Sequence, residues 1–345
     1  MISVTERLGV ELPIIQAPMA GVQDCELAIA VSENGGLGSL PCGMLSNSQI
    51  EAELNKIKVA TSKPINLNFF CHTQVEKDQN KQRAWQQTLA PYFNELGIAC
   101  DEHAQSNRVP FSHDIADVIE GFSPKVISFH FGLPEPELLA RVKSWGTVVI
   151  SSATTLAEAK WLEAQGADAI IVQGLEAGGH RGMFLSKDIT TQQGLFSLLP
   201  KVVNAVNIPV IAAGGIADNK GGRAALSLGA SAVQVGTSYL LCDEAKTSNL
   251  HKNAILSEQV EHTALTNIFT GKPARGIVNR VMSELGYMSA RAPEFPYAAI
   301  ELGQLRIKAE AQSSHDFSPL WCGQNTSGCA AISAAEMTLK LTGNL

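Results

Sequence analysis

The sequence predicts an α/β fold of the (β/α)8 TIM-barrel class. Three observations support this prediction: eight short apolar runs, helical patterns between them, and small or polar residues at the end of each run. The runs are apolar on nearly every residue, as expected for parallel strands that are covered on both faces. An open doubly wound sheet is the alternative, but its G-x-G-x-x-G fingerprint does not follow the first run. The barrel is the more economical interpretation.

The eight predicted strands alternate with helical segments. In order, the strands are LPIIQA (12–17), GLGSL (36–40), KPINLNFF (63–70), KVISFHF (125–131), GTVVISS (146–152), ADAIIVQG (167–174), NIPVIAAGG (207–215) and ASAVQVGT (230–237). The amphipathic segments between them are CELAIAVSENG, NSQIEAELNKIKVA, SHDIADVIEGF, PELLARVKSWG, LAEAKWLEAQGA, GLFSLLPKVVNAV and KGGRAALSLGA. This alternation of strand and helix is what a barrel requires.

Two segments lie outside the alternation. Residues 71–110 are polar and helix-prone, and they form an unusually long connection between the third and fourth strands. We expect this helical insertion to cover the barrel mouth. From about 245 to 345 a largely helical extension contains GKPARGIVNR, RAPEFPY and PLWCGQNTSG. We expect it to pack beside the mouth and to contribute side chains to the site, so that residues 1–345 form a single barrel domain.

Composition and charge narrow the classes of partner. The formal net charge is −7 and no run of lysine or arginine occurs, which argues against a nucleic-acid groove or a patch for anionic membranes. No apolar run approaches the ~18 residues that span a bilayer, and the N-terminus lacks a secretory pattern. We therefore expect a cytoplasmic protein with small-molecule partners. The seven cysteines include no Cys-x-x-Cys pair, so neither a disulfide framework nor a zinc site is predicted.

Glycine-rich turns follow the last two predicted strands. Gly214 and Gly215 follow the seventh strand, and Gly236 and Thr237 follow the eighth. In barrels these turns commonly hold a phosphate on backbone N–H groups. Glycines at strand ends can also merely permit turns, but two such pairs in succession favour phosphate binding. The ligand would be a mononucleotide cofactor such as FMN, or a phosphorylated substrate.

Other loops of the rim are compatible with a flavin. An isoalloxazine ring needs a flat slot floored by backbone and small side chains, and APMAG (17–21) offers such a floor. The side-chain amides of Asn68 and Gln173 could form hydrogen bonds with ring heteroatoms, although both could instead cap strand ends. These features favour FMN as the cofactor.

The stretch GLEAGGHRG (174–182) places a histidine beside two glycines. Gly178 and Gly179 remove side chains from the wall, so a planar ligand could lie against the backbone while the imidazole of His180 projects over it. Histidine can accept a proton or hold an anion near neutral pH. His130, after the fourth strand, is the second candidate. The two imidazoles would form a cationic or hydrogen-bonding clamp for an acidic small substrate, and they are too few to predict a metal site.

The neighbours of His180 and the other histidines are assigned lesser roles. Glu176 and Arg181 could orient His180 or pair with each other, and neither is predicted to be catalytic. The other six histidines are interpreted as packing or surface residues: His72, His103, His113, His251, His262 and His315.

Seven motifs taken together identify a family resemblance. They are PIIQAPMAG, SFHFG, GLEAGGHRG, PVIAAGGIAD, QVGTSYLLC, KPARGIVNR and LWCGQ. The set resembles the class I nitronate monooxygenases, formerly called 2-nitropropane dioxygenases, and it extends over most of the chain. GLEAGGHRG alone is loosely shared with FMN-dependent enoyl-acyl-carrier-protein reductases, so the set is more specific than any one motif.

The resemblance implies a reaction and a set of site residues. The reaction is oxidation of alkyl nitronates, such as propionate 3-nitronate, by dioxygen to carbonyl compounds and nitrite, with FMN and without NAD(P)H. His180 would be the active-site histidine, His130 its companion, and Tyr297 the residue that closes the substrate pocket. The residues implied to contact FMN are Met19, Asn68, Gln173, Gly178, Gly215, Gln234, Val235, Gly236 and Thr237.

Three other functions stay open at this point. An NAD(P)H-dependent FMN reductase of the enoyl-acyl-carrier-protein reductase type would share both barrel and cofactor. A flavin-free barrel enzyme, such as a sugar-phosphate isomerase or an enzyme with a cysteine nucleophile, would share only the barrel. A barrel that binds a ligand without catalysis would not need two convergent histidines.

Overall fold

A closed ring of eight parallel strands forms the centre of the computed structural model, which describes residues 3–106 and 108–343. The strands of the described chain are β1 Ile14–Gln16, β2 Gly38–Pro41, β3 Ile65–Phe70, β4 Val126–His130, β5 Val148–Ala153, β6 Ala169–Gln173, β7 Gly179–His180, β8 Val210–Ala213, β9 Ala232–Val235, β10 Thr263–Thr266 and β11 Ala274–Ile277. The order around the ring is β1-β9-β8-β6-β5-β4-β3-β2. A parallel bridge between Ile15 and Leu37 joins β1 to β2 and closes it.

The predicted barrel is confirmed, and each of the eight predicted runs overlaps one barrel strand. Residues on these strands are almost all buried, because one face packs into the barrel interior and the other against the surrounding helices. The inner cluster is aliphatic and the outer one is aliphatic and aromatic, while the buried Asn66 side chain donates to the hydroxyl oxygens of Ser39 and Ser128. This double burial is why the runs are continuously apolar in the sequence and do not alternate.

The helices surround the ring and continue into the C-terminal region. In the described residues they are α1 Val4–Leu8, α2 Cys25–Glu33, α3 Asn47–Ala60, α4 Gln79–Leu96, α5 His113–Glu120, α6 Pro136–Ser144, α7 Leu156–Ala164, α8 Leu195–Val203, α9 Asn219–Ser227, α10 Asn249–Ile255, α11 Arg280–Leu285, α12 Ala299–Ala311 and α13 Ala334–Thr342. Ser46 and Gln49 form a capping box that fixes the start of α3. None of these helices has both the length and the apolar character that a membrane crossing demands.

The C-terminal extension packs against the barrel in two places. Its strands β10 and β11 and helices α10 to α12 surround the mouth of the barrel, whereas α13 returns to the outer wall. There α13 packs against α2, α9 and β1, which is the position of the eighth helix in the ring. The hydroxyl groups of Tyr239 and Thr338 lie 2.9 Å apart in this buried contact. The tail therefore completes the barrel as well as flanking it.

The insertion and the extension share a second apolar core beside the barrel mouth. Helix α4 of the insertion packs against α12 of the extension. The Trp85 indole Nε1 donates a hydrogen bond to the Ala298 carbonyl oxygen at 3.2 Å, and Gln82 Nε2 donates to the buried carboxylate of Glu301 at 2.6 Å. Residues of both segments form one buried cluster, including Leu89, Phe93, Leu302 and Phe317. We call this packed unit, residues 71–110 with 245–325, the cap.

A small antiparallel sheet attaches the cap to the glycine-rich stretch. Its order is β10-β11-β7, and β11 pairs His180 with Ala274 and Gly179 with Arg275. Strand β11 belongs to the motif KPARGIVNR, so this motif holds the main chain around His180. The loop after β6 is thus fixed from the barrel side and from the cap side.

Candidate active site

A cavity of about 370 Å³ lies at the carboxyl ends of the barrel strands. Its volume is in the range of cofactor and small-molecule sites, and its position is where barrels place their active sites. Loops that follow the strands form one part of its wall, and the cap forms the rest. Most residues predicted for the site line it: Met19, Asn68, His130, Gln173, Gly178, Gly179, His180, Gly214, Gly215, Gln234, Gly236 and Thr237.

Two predicted residues do not line the cavity. The side chain of Val235 is 1% exposed and packs in the barrel core, because alternate residues of a strand point to opposite faces. Tyr297 lies at the insertion side of the cap, where its hydroxyl donates a hydrogen bond to the Val75 carbonyl oxygen at 2.8 Å. Phe295, two residues earlier, faces His180 instead, with ring centroids 5.8 Å apart. The structure therefore does not bring Tyr297 to the pocket.

The turns after β8 and β9 form the glycine-rich end of the cavity. Gly214 and Gly215 have φ angles of 107° and 71°, a conformation that side chains other than glycine rarely adopt. Segment 322–325 of the cap closes over these turns: the Gly323 N–H donates to Thr237 Oγ1 at 3.0 Å, and Asn325 Nδ2 donates to the Gly215 carbonyl oxygen at 2.9 Å. The main chain supplies most of this end.

Gly178 and Gly179 serve different purposes at this end. A Cβ atom on Gly178 would lie 2.6 Å from the backbone of Cys322 and Gly323, so this glycine permits the cap segment to pack. A Cβ atom on Gly179 would meet no protein atom within 4 Å, and its φ is 71°. Gly179 therefore faces the open cavity, as a slot for a planar ligand requires.

Unpaired polar atoms point to a ligand that carries hydrogen-bonding groups. Gln234 Oε1 is buried in the wall and has no hydrogen-bond partner among the described residues. Asn68 Nδ2 donates to Ser128 Oγ at 2.9 Å, whereas no donor of the described chain reaches Asn68 Oδ1. Buried polar atoms are normally paired. A heterocyclic ligand with N–H and C=O groups along one edge would satisfy both side chains.

His180 lies in the cavity wall next to Gly179, within a group of aromatic rings. The ring centroids of Phe295, Trp321, Phe131 and Phe70 lie 5.6–6.4 Å from that of the imidazole. Its Nε2 lies 2.8 Å from Thr270 Oγ1, while Nδ1 has no hydrogen-bond partner in the described part of the chain. The imidazole thus has one anchored nitrogen and one nitrogen available to a ligand.

The protonation state of His180 follows from these surroundings. Burial among apolar rings lowers its pKa well below 6.5, and the positive charges of Arg108 and Lys272 lower it further. The imidazole is therefore neutral at pH 7. Of the two clamps predicted from the sequence, the surroundings favour the hydrogen-bonding form over the cationic one.

His130 holds the main chain of His180. Its Nε2 lies 3.2 Å from the His180 carbonyl oxygen and its Nδ1 lies 3.0 Å from Ser152 Oγ. Burial lowers the pKa of His130 to about 4, so it is a neutral hydrogen-bond donor. Gln173 makes the same connection, since its Nε2 donates to the His180 carbonyl oxygen at 2.9 Å and its Oε1 accepts from the Gly182 N–H at 2.8 Å. Both side chains position His180.

Arg181 and Glu176 stabilise the loop separately. The fully buried guanidinium of Arg181 donates to the carbonyl oxygens of Gln173 and Gly174 at 2.8 and 2.6 Å. The Glu176 carboxylate accepts from the Leu195 N–H at the start of α8. Each side chain fixes main chain of the loop after β6, and they do not pair with each other as the sequence had suggested.

Sequence reasoning missed several cavity residues. Thr270 and Arg108 come from the cap, and no local motif marks either of them. His251, which was interpreted as packing or surface, is 4% exposed and lines the cavity with an unpartnered Nε2. The only signal in the sequence was the presence of the polar insertion, for Arg108, and of the extension, for Thr270 and His251. Among residues 3–106 and 108–343, no group of His, Cys, Asp and Glu side chains is arranged to hold a metal ion.

Comparison with known proteins covers nearly the whole chain. Residues 3–344 match the family model described as nitronate monooxygenase. A nitronate monooxygenase of Pseudomonas aeruginosa is 37% identical over 344 residues, covering 99% of this chain and 98% of the relative. A probable nitronate monooxygenase of Bacillus subtilis is 38% identical over 323 residues, with 92% and 91% covered.

Solved structures agree with these relatives. A nitroalkane oxidase from Streptomyces ansochromogenes superposes with a TM-score of 0.89 at 35% identity, covering 97% of this chain and 96% of that one. FabK from Thermotoga maritima superposes with a TM-score of 0.73 at 27% identity, covering 99% and 94%. Both similarities include the cap as well as the barrel.

Proposed function

Since the chain belongs to the nitronate monooxygenase family and is therefore an oxidoreductase, we propose that it oxidises alkyl nitronates, such as propionate 3-nitronate, using FMN and dioxygen. The products are a carbonyl compound and nitrite, and NAD(P)H is not required. The observation that carries this proposal is one cavity whose wall holds both the glycine-rich turns and a neutral histidine with a free nitrogen. The family is flavin-dependent in general, and FMN is our specific assignment.

The cavity residues suit FMN. The N–H groups of Gly215, Gly236 and Thr237 would hold the phosphate, as helix starts and glycine turns hold anions. The ring would lie on residues 17–21 and beside Gly179, where Gln234 Oε1 and Asn68 Oδ1 are free to accept hydrogen bonds. Bound FMN supplies the electron acceptor and the reactivity toward dioxygen.

His180 interacts with the substrate through Nδ1. With Nε2–H donating to Thr270, the Nδ1 lone pair can accept a proton from the carbon of a neutral nitroalkane. In the other tautomer the Thr270 hydroxyl donates to Nε2, and Nδ1–H can donate to an oxygen of a nitronate. A threonine hydroxyl can fill both roles because it both donates and accepts. His130 and Gln173 keep the imidazole in place by holding the His180 carbonyl oxygen.

Positive charge for an anionic substrate comes from groups other than the histidines. Arg108 lines the cavity, and the Lys272 ammonium lies 4.4 Å from the centroid of the Phe131 ring. Both charges act on His180, since both lower its pKa. The aromatic rings around the imidazole lower the local dielectric constant, which strengthens these interactions.

Anaerobic mixing tests the proposal. The purified protein, reconstituted with FMN where necessary, is mixed without oxygen with propionate 3-nitronate or with NADH, and the flavin absorbance is followed. We expect rapid bleaching by the nitronate and little by NADH, followed by oxygen uptake and nitrite release when air is admitted. Rapid bleaching by NADH alone would instead indicate an NAD(P)H-dependent flavin reductase. Failure to bind FMN would indicate a flavin-free barrel.

A further inference from the structure

One cation in the cavity wall has no anionic partner. Arg108, at the end of the insertion, is half-buried and lines the cavity. Within the described residues, no carboxylate lies within 4.0 Å of its guanidinium. The other arginine of the wall, Arg306, differs because its Nε lies 2.7 Å from Glu310 Oε1. In the cavity wall, a carboxylate therefore balances the positive charge of Arg306, whereas none balances that of Arg108 among the described residues.

An uncompensated charge that is partly removed from water is unfavourable unless an anion reaches it. Burial lowers the pKa of Arg108, and the nearby charge of Arg306 lowers it further, yet arginine remains protonated at neutral pH. None of its nitrogens is among the fully enclosed unpartnered atoms of the described residues, and the residue lines the cavity. The guanidinium is therefore placed to receive an anion from a ligand.

That anion is not the cofactor phosphate. Main-chain N–H groups are available for a phosphate at the glycine-rich end, which Gly214, Gly215 and Gly236 form. Arg108 belongs to the wall near His180: three residues after it, the Phe111 N–H donates to the Phe70 carbonyl oxygen at 2.8 Å, and the Phe70 ring lies 6.4 Å from that of His180. Consistently, its charge lowers the pKa of both His180 and His72. The His72 ring lies 4.8 Å from Phe295, which in turn faces His180. The partner of Arg108 is thus a group on the molecule that contacts His180.

We propose that Arg108 determines substrate specificity by binding a carboxylate that the substrate carries in addition to its nitro or nitronate group. This inference rests on the proposed function, and it deepens that proposal by naming the residue that selects carboxylate-bearing substrates. The planar guanidinium can donate two parallel hydrogen bonds to a carboxylate, which an ammonium group cannot do. His180 contacts the nitro end while Arg108 holds the other end.

A matched pair of substrates tests the assignment. Propionate 3-nitronate and propyl-1-nitronate have three carbons each, and only the first carries a carboxylate. In Arg108→Gln we expect kcat/KM to fall roughly 10- to 100-fold for propionate 3-nitronate, mainly through KM, because a hydrogen bond to a charged group is lost. For propyl-1-nitronate we expect a change of less than about threefold. Arg108→Lys should retain part of the preference.

Arg83→Gln is the control, because Arg83 is an exposed arginine of the same insertion, on α4. It should leave both substrates unaffected. Equal losses on both substrates in Arg108→Gln would overturn the proposal, since Arg108 would then act on the nitronate group or on the fold. Absence of any preference for propionate 3-nitronate in the unmodified enzyme would overturn it as well.

A binding measurement separates this inference from the proposed reaction. Calorimetric titration of the FMN-loaded His180→Ala protein, which lacks the proposed proton acceptor, with 3-nitropropionate and with 1-nitropropane under anaerobic conditions reports the carboxylate contribution without flavin reduction; Arg108→Gln is compared in the same background. We expect at least about tenfold tighter binding of 3-nitropropionate, lost in Arg108→Gln. Equal affinity would refute the carboxylate subsite. Intact selective binding without any nitronate oxidation by the unmodified enzyme would instead refute the proposed function and leave the subsite supported.

Discussion

The two ends of the cavity are built from different parts of the protein. At the glycine-rich end, main-chain groups from the turns after β8 and β9 face the cavity, and cap segment 322–325 closes over them. At the aromatic end, the part of the wall around His180, the cavity is lined by side chains from separate segments, including Phe70 and Trp321, whose ring centroids lie 6.4 and 5.6 Å from that of His180. The glycine-rich end is open because its residues lack side chains, whereas the properties of the aromatic end come from particular side chains.

This difference indicates how the two ends divide the task. Main-chain amides bind a phosphate whatever the rest of the ligand is, so the glycine-rich end suits a constant cofactor. Side chains can be exchanged one at a time, so the aromatic end suits the selection of substrate and the control of protons. Substitutions at the aromatic end should therefore lower turnover while the cofactor stays bound. Substitutions that add a side chain at the glycine-rich end should lower cofactor binding.

The largest effect is expected for His180→Ala. Loss of a proton-transfer group typically lowers the rate by 100-fold or more, so nitronate turnover should fall at least ~100-fold. FMN content should stay unchanged, because in the proposed assignment main-chain groups of the glycine-rich turns hold the phosphate. Steady-state oxygen uptake and the absorbance ratio of flavin to protein measure the two quantities. Near-normal turnover would remove His180 from the mechanism, and lost flavin would mean that the two ends are not independent.

Substitutions of Gly179 test cofactor binding instead of turnover. Gly179→Leu places a side chain into the open cavity, whereas Gly179→Ala adds only a methyl group. Both variants carry the same backbone strain at φ 71°, about 1–2 kcal/mol. We expect Leu to lower FMN occupancy strongly and Ala to lower it little, as measured by flavin released per protein. If both variants retain full occupancy, the flavin slot lies elsewhere in the cavity.

A smaller effect is expected for His130→Gln. This residue shares the His180 carbonyl oxygen with Gln173, and one hydrogen bond contributes about 1 kcal/mol. Turnover should fall about fivefold, with KM and FMN content nearly constant. A loss as large as that of His180→Ala would instead assign His130 a direct part in the chemistry.

The smallest effect concerns pH. A base acts only when unprotonated, and the pKa of His180 is lowered well below 6.5. With 1-nitropropane as substrate, kcat/KM should be flat from pH 8 down through 6.5 and should fall only as the pH approaches the lowered pKa. An inflection near 6.5 would show that the aromatic surroundings do not hold the imidazole neutral. Because His130 is also neutral, with a pKa of about 4, it should add no inflection in this range.

The two ends also differ in how far the sequence predicts them. The glycine pairs at 214–215 and 236 follow apolar runs in a barrel pattern, so their meeting at one edge is a consequence of the fold. His180 was found by the same reasoning. Arg108 and Thr270 reach the cavity only because α4 packs on α12 and β11 pairs with β7, and such contacts between distant segments leave no local signal.

Tyr297 is the reverse case, a residue that the sequence analysis places in the pocket and the structure does not. Tyr297 was assigned from the family resemblance, which is loose in this turn. A shift of two residues along the chain decides whether Phe295 or Tyr297 faces His180. The structure gives that place to Phe295, which has no hydroxyl group. His251 was interpreted as a packing or surface residue, and it is buried, as packing requires. Its place in the cavity wall follows from the packing of the extension and not from its neighbours in the chain.

The position of α13 bears on how the protein is made. The last strand of the ring ends at Val235, whereas the helix that seals the outer wall next to β1 begins at Ala334. At ribosomal speeds of about 5–20 residues per second, on the order of ten seconds pass between the two events. During that interval the apolar flank between α2 and α9 is open to chaperones or to other nascent chains. The gap closes only after the segments that flank the catalytic cavity have emerged.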